Sequence, residues 1–256
     1  VTPALTIAGS DSGGGAGIQA DVKTLHAHGV FATTVVTAVT AQNSVGITHV
    51  HEVPVAIVEA QLVAVLDDFD IAAAKTGMLV SSAITHAVAA ILRERKVPRI
   101  VVDPVMAASS GHRLLAENAL GALTGELFPL ALCVTPNLHE AATLADMTIE
   151  CVDDMQRAAR RIREYGCGGV LIKGGHASFD RGTDVFFDGR EVRVFRPRTV
   201  ARDAFHGTGC VLSAALTARL ALGEDLLSAV EHAKAYLSDA LEAAPVVGGR
   251  GGRATS

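Results

Sequence analysis

Residues 4–39, ALTIAGSDSGGGAGIQADVKTLHAHGVFATTVVTAV, decide the fold. Ala4–Ala8 is a short apolar run closed by Gly9, and its freedom from charge is what a strand buried on both faces requires. From Gly17 to His28 the periodicity changes, with Ile18, Val22 and Leu25 at helical spacing and Gly29 as the stop. Val30–Val39 returns to β-branched, uncharged sequence, a second buried strand. Strand, helix and strand in that order make the unit from which parallel sheets are built.

Outward from this unit the alternation continues. Thr48–Val53 reads as a short strand ended by Pro54, Ala56–Phe69 as a helix on Ile57, Leu62, Val65 and Leu66, and Ile71–Thr76 as a strand. Ala83–Arg95 is a helix, and Arg99–Val102 a strand ended by Asp103-Pro104. Leu132–Thr135 follows as a strand, Leu138–Leu144 and Met155–Tyr165 as helices, and Gly169–Lys173 as a buried strand. Asp184–Phe187 and Glu191–Phe195 form a hairpin across Asp188-Gly189-Arg190, and Gly207–Leu222 and Leu226–Ala243 are helices. The expectation is one α/β domain over residues 1–246, a mostly parallel central sheet with helices on both faces, and a mobile Gly/Arg-rich tail over 247–256.

The 256 residues are 49% hydrophobic and 19% charged, enough apolar material for a sizeable core; with 4% aromatics and no Trp, that core is Ala, Val, Leu and Ile. Lys and Arg number 22 against 27 Asp and Glu, a net charge of −5 without a long basic run, which argues against nucleic-acid binding. Cys133, Cys151, Cys167 and Cys210 contain no C-x-x-C pair, so neither a zinc ribbon nor a disulfide scaffold is indicated. Val1–Ser10 lacks the charge and apolar length of a secretory signal, and the uncharged stretch 30–50 is punctuated by Thr, Gln, Asn and Ser, so a soluble cytoplasmic protein with no membrane span is expected.

Ligands on open parallel sheets bind outside the carboxyl ends of the strands. The polar or glycine-rich clusters directly after strands are Gly9–Gly17, Thr40–Ser44, Lys75–Met78, Asp103–Gly111, Thr135–Glu140 and Lys173–His176, and all should share one sheet edge. No Gly-Lys dipeptide occurs, which excludes the Walker A loop, and H-E-x-x-H and G-x-S-x-G are absent. Gly15-Ala16-Gly17-Ile18-Gln19-Ala20 can be forced onto a dinucleotide fingerprint, but after Asp21 the next carboxylate is Glu52, so the ribose-binding acid of a dehydrogenase is missing.

What is present is His206-Gly207-Thr208-Gly209-Cys210 at the start of an apolar helix. Small residues there let backbone N–H groups approach an anion, and the helix dipole adds positive potential. A cysteine in that first turn is expected to have its thiolate favoured and its pKa lowered, with base or nucleophile character; the plainer reading is a small buried hydrophobe.

Together with Gly9-Ser10-Asp11-Ser12-Gly13-Gly14-Gly15-Ala16-Gly17, Ala41-Gln42-Asn43, Asp103-Pro104-Val105-Met106, Thr135-Pro136-Asn137-Leu138-His139-Glu140 and Lys173-Gly174-Gly175-His176, this cluster resembles, in the same order, the motifs of the hydroxymethylpyrimidine and phosphomethylpyrimidine kinases of thiamine biosynthesis, a branch of the ribokinase-like superfamily. The likeness runs from about residue 4 to about residue 244. It implies a single-domain ribokinase-like fold and an ATP-dependent kinase acting on 4-amino-5-hydroxymethyl-2-methylpyrimidine and then on its monophosphate. ATP is the implied co-substrate and Mg²⁺ the implied cofactor, and the implied assembly is a homodimer or other small homo-oligomer.

By the same resemblance, Cys210 is the catalytic residue beside the acceptor oxygen, where most ribokinase-like enzymes carry Asp, and the N–H groups of Gly207, Thr208 and Gly209 form an anion hole for the transferring phosphoryl group. Lys173, one of five lysines and placed at the end of an apolar strand, corresponds to the family lysine beside the phosphates; a structural ion pair is its plainer role. Asn137 and Glu140 match the element associated with Mg²⁺, often through water, and Asp103 either supports the same region or makes the turn before Pro104. Gln42 and Asp21 match residues that bind the aminopyrimidine, the amide through paired donor and acceptor and the carboxylate through the amino group. Gly9, Met78 and Val105 supply apolar and close-approach walls, or ordinary core.

The chain departs from the family pattern in three places. Ala204-Phe205 stands where the family reads Asn-Thr, Thr40 where many relatives have an apolar residue, and Gly248-Gly249-Arg250-Gly251-Gly252-Arg253 replaces the usual ending. The sequence does not say whether a loop closes over the substrate, although either Ala107–Arg113 or Ala177–Gly182 could. Two other readings stay open: a pyridoxal or pyridoxine kinase on the same fold, against which Gln42 speaks, and a catalytically silent ligand-binding regulator, which the Ala204-Phe205 segment allows.

Overall fold

The strand–helix–strand unit at the N-terminus folds as its pattern requires, with β1 (Pro3–Asp11) and β2 (Phe31–Gln42) side by side and parallel, joined through α1 (Gly17–Ala27). The computed structural model describes residues 1–107, 114, 116, 118–175, 177–197, 205–243 and 253–254. After β2 come β3 (Ile47–Glu52), α2 (Val55–Asp68), β4 (Ala73–Thr76), α3 (Ser82–Glu94), β5 (Ile100–Val102), α4 (Ala119–Ala122), β6 (Ala131–Val134), α5 (Leu138–Ala145) and α6 (Val152–Arg163). Then follow β7 (Gly169–Ile172), β8 (Asp184–Phe187), β9 (Val192–Phe195), β10 (Phe205–His206), α7 (Thr208–Ala221), α8 (Leu226–Ala243) and β11 (Arg253–Ala254).

Nine strands form one sheet in the order β3-β2-β1-β4-β5-β6-β7-β8-β9. From β2 across to β7 every pairing is parallel, while β3 and the β8–β9 hairpin run antiparallel at the two edges. Alternate side chains feed two cores, one on each face. Leu5, Ile7, Ala74, Val102, Val134 and Ile172 meet α2, α3, α5 and α6 through residues such as Leu62, Val88, Leu144 and Ile162. Ala4, Ala73, Val101, Cys133 and Leu171 meet α1, α7 and α8 through Leu25, Leu216 and Val230. Enclosed by the sheet, α1 and α8, α7 is buried nearly all round from Val211 to Ala221, which explains its lack of a polar face.

Three boundaries differ from expectation. Strand β2 runs past Val39 to Gln42 because β3 pairs with it there, Thr40 opposite Val50 and Gln42 opposite Ile47. Helix α6 starts before Met155, where Asp154 accepts the N–H groups of Glu150 and Cys151 and so closes the helix start. The unanticipated α4 passes into a π-helical turn over Leu123–Leu127 and a 3₁₀ turn over Phe128–Leu130, burying Leu123, Leu127 and Phe128; Gly121, Gly125 and Pro129 hide this segment in the sequence.

Because the strands from β2 to β7 are parallel, the clusters that follow them open on one edge, as the alternation predicted. His176, residues 108–113, Ala204 and residues 244–252 and 255–256 lie outside the described residues, so the readings of those positions stand as expectations. Within the expected tail, Arg253 and Ala254 pair in parallel with Phe205 and His206. Among the described residues, no helix is long and apolar enough to cross a membrane.

Candidate active site

The site grows out of the strand period. On five of the six parallel strands, a residue facing the α7 core is followed two positions later by a polar residue: Ala4 by Thr6, Ala73 by Lys75, Val101 by Asp103, Cys133 by Thr135 and Leu171 by Lys173. All five therefore point to the side where α1 and the N-terminus of α7 pack.

The glycine-rich loop after β1 is organised from within. Asp11, buried at the strand end, accepts the N–H groups of Gly13 at 2.7 Å, Gly15 at 3.1 Å and Ala16 at 2.8 Å, so these amides are already satisfied by a carboxylate. Ser12 ties the loop to the end of β2 through the backbone N–H and carbonyl of Gln42. The loop in turn seats against α7, for Gly207 has φ +84° and a Cβ there would stand 1.8 Å from the carbonyl oxygen of Gly15. Only glycine fits, on both counts. Among the described residues, no side chain caps α7 and no acid occupies its first turn, while the Lys173 ammonium and the Asp103 carboxylate approach it, 3.1 and 3.7 Å from where a Cβ on Gly209 would stand.

On the acceptor side, Lys75 is the largest side chain sealed in the interior, and it pairs with Asp21 of α1; the two are 1% and 0% exposed. Thr6 donates to the other Asp21 oxygen at 2.6 Å. Burial alone would discharge Lys75, yet Asp21, Cys210 and Asp103 more than compensate and hold its ammonium charged. Cys210, half-buried in the first turn of α7, lies within the field of this pair and accepts the N–H of Gly17. Its expected low pKa is corrected here: burial pushes the thiol up to about 11, the carboxylates of Asp21 and Asp103 add to the rise, and Lys75 and the Gly17 amide only offset part of it.

On the donor side, Asp103 is a hub. One oxygen takes the Lys173 ammonium at 2.8 Å and the Thr135 hydroxyl at 3.2 Å, and the other lies 3.2 Å from the hydroxyl of Ser213 on α7. Lys173 is 15% exposed, so its ammonium reaches the cleft. Burial would lower its pKa, but Asp103 and Glu140 override this and raise it. Asn137 and Glu140 form the capping box of α5: the Asn137 side chain accepts from Glu140 N at 2.9 Å, and Glu140 accepts from Asn137 N at 2.7 Å. Burial, opposed by Lys173 and assisted by Asp103, pushes Glu140 up to about 7.

The expected residues thus converge, with different relations among them than the sequence implied. Asp21, expected to bind the aminopyrimidine, has one oxygen engaged by the Lys75 ammonium and the other by the Thr6 hydroxyl. Gln42 is half-buried at the end of β2, and the Thr40 hydroxyl beside it reaches the Ser10 carbonyl at 2.7 Å and the Gln42 side-chain oxygen at 3.2 Å. Gly9 and Met78 are packed together, since a Cβ on Gly9 would stand 2.2 Å from Met78 Cε, and half-buried Val105 follows Asp103 in a tight turn. Sequence reasoning placed Lys75, Asp11 and Thr135 in the clusters at this edge without giving them roles, and it missed Ser213. The signal for Lys75 was available: a lone lysine in an uncharged strand, the same feature that singled out Lys173.

Among the described residues, no group of three or more His, Cys, Asp and Glu side chains is assembled as a metal cage. The donor set still suits a hard cation. Asp21, Asp103 and Glu140 stand against Lys75 and Lys173, one carboxylate in excess; Glu140 is raised chiefly by burial, with Asp103 adding to the rise and Lys173 opposing it.

Comparison with known proteins agrees with this arrangement. A family model described as phosphomethylpyrimidine kinase matches residues 11–254. The chain is 51% identical over 243 residues to the hydroxymethylpyrimidine/phosphomethylpyrimidine kinase of Rhizobium meliloti, covering 94% of this chain and 91% of the relative. Among solved structures, phosphomethylpyrimidine kinase from Clostridium difficile 630 matches with a TM-score of 0.84 at 39% identity, over 94% of this chain and 100% of the other. The ADP complex of Bacillus subtilis pyridoxal kinase matches with a TM-score of 0.91 at 36% identity, over 99% and 96%. The backbone is thus shared by kinases of two different small molecules and does not separate them. Sequence does, and by the match along nearly its whole length the chain belongs to the phosphomethylpyrimidine kinase family of ribokinase-like proteins.

Proposed function

We propose that the chain transfers the terminal phosphoryl group of ATP to the hydroxymethyl oxygen of 4-amino-5-hydroxymethyl-2-methylpyrimidine, and then to the monophosphate so formed, in thiamine biosynthesis. The observation that carries this reading is the 51% identity to the Rhizobium meliloti kinase across 94% of the chain. In the first step the hydroxyl oxygen attacks phosphorus, the bond to the bridging oxygen breaks and ADP leaves. Lys173, held charged by Asp103, and the amides of Gly207, Thr208 and Gly209 are placed to neutralise the transferring phosphoryl group. Mg²⁺ would be held by Glu140 and Asn137, through water, with Asp103 supporting the same region, and would neutralise phosphate charge.

Cys210 stands beside the acceptor oxygen in this reading. Its thiol is protonated at neutral pH, so it must first release that proton to solvent; the Lys75 charge favours the thiolate, which then takes the hydroxyl proton. The monophosphate acceptor is already anionic and makes no such demand. Gln42, Gly9, Met78 and Val105 hold the pyrimidine, Gln42 through its amide. We carry forward a cytoplasmic, homo-oligomeric enzyme from the family resemblance.

ADP release with Mg-ATP, offered the hydroxymethylpyrimidine, its monophosphate and pyridoxal in parallel, tests the assignment. Turnover on both pyrimidines with little on pyridoxal is the expected result. Pyridoxal is included because the pyridoxal kinase matches with a TM-score of 0.91; a preference for it would overturn the substrate and leave the phosphotransfer machinery standing. Binding without ADP release would favour a silent regulator.

A further inference from the structure

Three of the five lysines pair with buried carboxylates: Lys75 with Asp21, Lys173 with Asp103, and Lys234 with Asp184. The mechanism uses the first two pairs and has no use for the third. Lys234 projects from α8 and donates to one oxygen of Asp184, at the start of β8, at 2.5 Å; the side chains are 17% and 8% exposed. Such a pair returns little net stability, because desolvation of two charges offsets their attraction. What it positions is a better account of its presence.

The other Asp184 oxygen accepts the N–H of Gly174 at 2.8 Å, in the turn that directly follows Lys173. That turn lies hard against the strand, since a Cβ on Gly174 would stand 1.9 Å from the carbonyl oxygen of Thr183. The carbonyl of Gly174 accepts from Ala177 and Gly182, each at 3.0 Å, and the N–H of Lys173 donates to Pro136 at 2.9 Å. The backbone of Lys173 is therefore held between Pro136 on one side and the Asp184–Gly174 bond on the other. Lys234 orients Asp184 and is itself held 5.7 Å over the ring of Phe195.

We infer that Lys234 and Asp184 are positioning residues for Lys173, fixing the turn that presents its ammonium beside Asp103 without touching the substrates themselves. The inference rests on the kinase reading above, in which Lys173 meets the phosphates. A helix-to-sheet staple would instead act on stability alone.

The test compares Lys234→Met and Lys234→Arg in the natural chain and Lys234→Met in a Lys173→Met background, with Asp184→Asn as a second disruption of the pair. Kinetics, affinity for a non-hydrolysable ATP analogue by titration calorimetry, and Tm are measured on each. We expect Lys234→Met to lower kcat by about ten- to a hundredfold, as small misplacements of a reacting group do, with KM for the pyrimidine unchanged and partial rescue by Arg. In the Lys173→Met background the same substitution should cost nothing further in kcat. A lowered Tm with kcat intact overturns the inference, as do losses that multiply with that of Lys173→Met. Should Lys234→Met fail to fold, Asp184→Asn, of nearly the same shape, answers the same questions. If the natural chain releases no ADP, it is the kinase reading that fails, and the ATP-analogue affinities still show whether Lys234 acts through Lys173.

Discussion

The two lysine–carboxylate pairs at the functional edge are chemically alike and placed oppositely. Lys75–Asp21 is sealed, at 1% and 0% exposure, between β4 and α1; Lys173–Asp103 is 15% and 3% exposed and opens toward the first turn of α7. A Cβ on Gly209 would stand 3.1 Å from the Lys173 ammonium, which shows how closely that helix end approaches the open pair. A sealed charge cannot meet a ligand, so it acts as a fixed field on Cys210. An open charge can bind. Burial, not residue type, separates the electrostatic background from the contact.

The largest effect that could break this comparison comes from Cys210→Ala. If the sealed pair works through the sulfur, the first phosphorylation falls by about 10²–10⁴-fold, the usual worth of a positioned proton acceptor, and the second falls far less. Single-turnover rates with each acceptor decide it. Equal losses in both steps would assign Cys210 to the anion hole alone.

Stability gives the next effect. Asp21→Asn leaves a buried ammonium unpaired and should destabilise the chain by about 3–5 kcal/mol in urea denaturation, whereas the double variant Asp21→Asn/Lys75→Met should lose less than either single one. Lys173→Met, at the open pair, should cost less stability and more activity. A reversed order would remove the distinction drawn between the pairs.

The smallest effect is a pH slope. The folded-state pKa of Glu140, about 7, lies above its ordinary value of 4.5, so the folded chain holds this proton more tightly than the unfolded one. Its stabilising contribution is complete below about pH 4.5 and is lost as pH rises through about 7. Glu140→Gln, neutral throughout, should flatten the fall in unfolding free energy across that window. An unchanged slope would place the carboxylate excess elsewhere.

Much of this was legible in sequence because it is local. A buried parallel strand must be apolar, and a polar or glycine-rich cluster after it must lie at its carboxyl end, so the run of six clusters marks the edge in the sequence itself. The strand period of two also runs from the core residues Ala73 and Leu171 to Lys75 and Lys173, and it would have marked Lys75 had it been followed past the last apolar residue. Helix α4 was hidden because glycine and proline there read as breaks, although packing against α3 holds a helical path through them.

The sequence alone determined the order of elements, the parallel sheet, the functional edge and Cys210 and Lys173 as candidates, since each follows from neighbours a few residues away; Gln42 came in through the family resemblance. Tertiary structure decided what those groups are electrostatically. The helix dipole at Cys210 is a local property, but the burial and the carboxylates of Asp21 and Asp103 that outweigh it come from other elements. Lys75 and Asp21 are 54 residues apart in the chain, and only packing α1 against β4 makes them a pair. Charge interactions and desolvation depend on distance in space and exclusion of water, and neither is written in the spacing of residues along the chain.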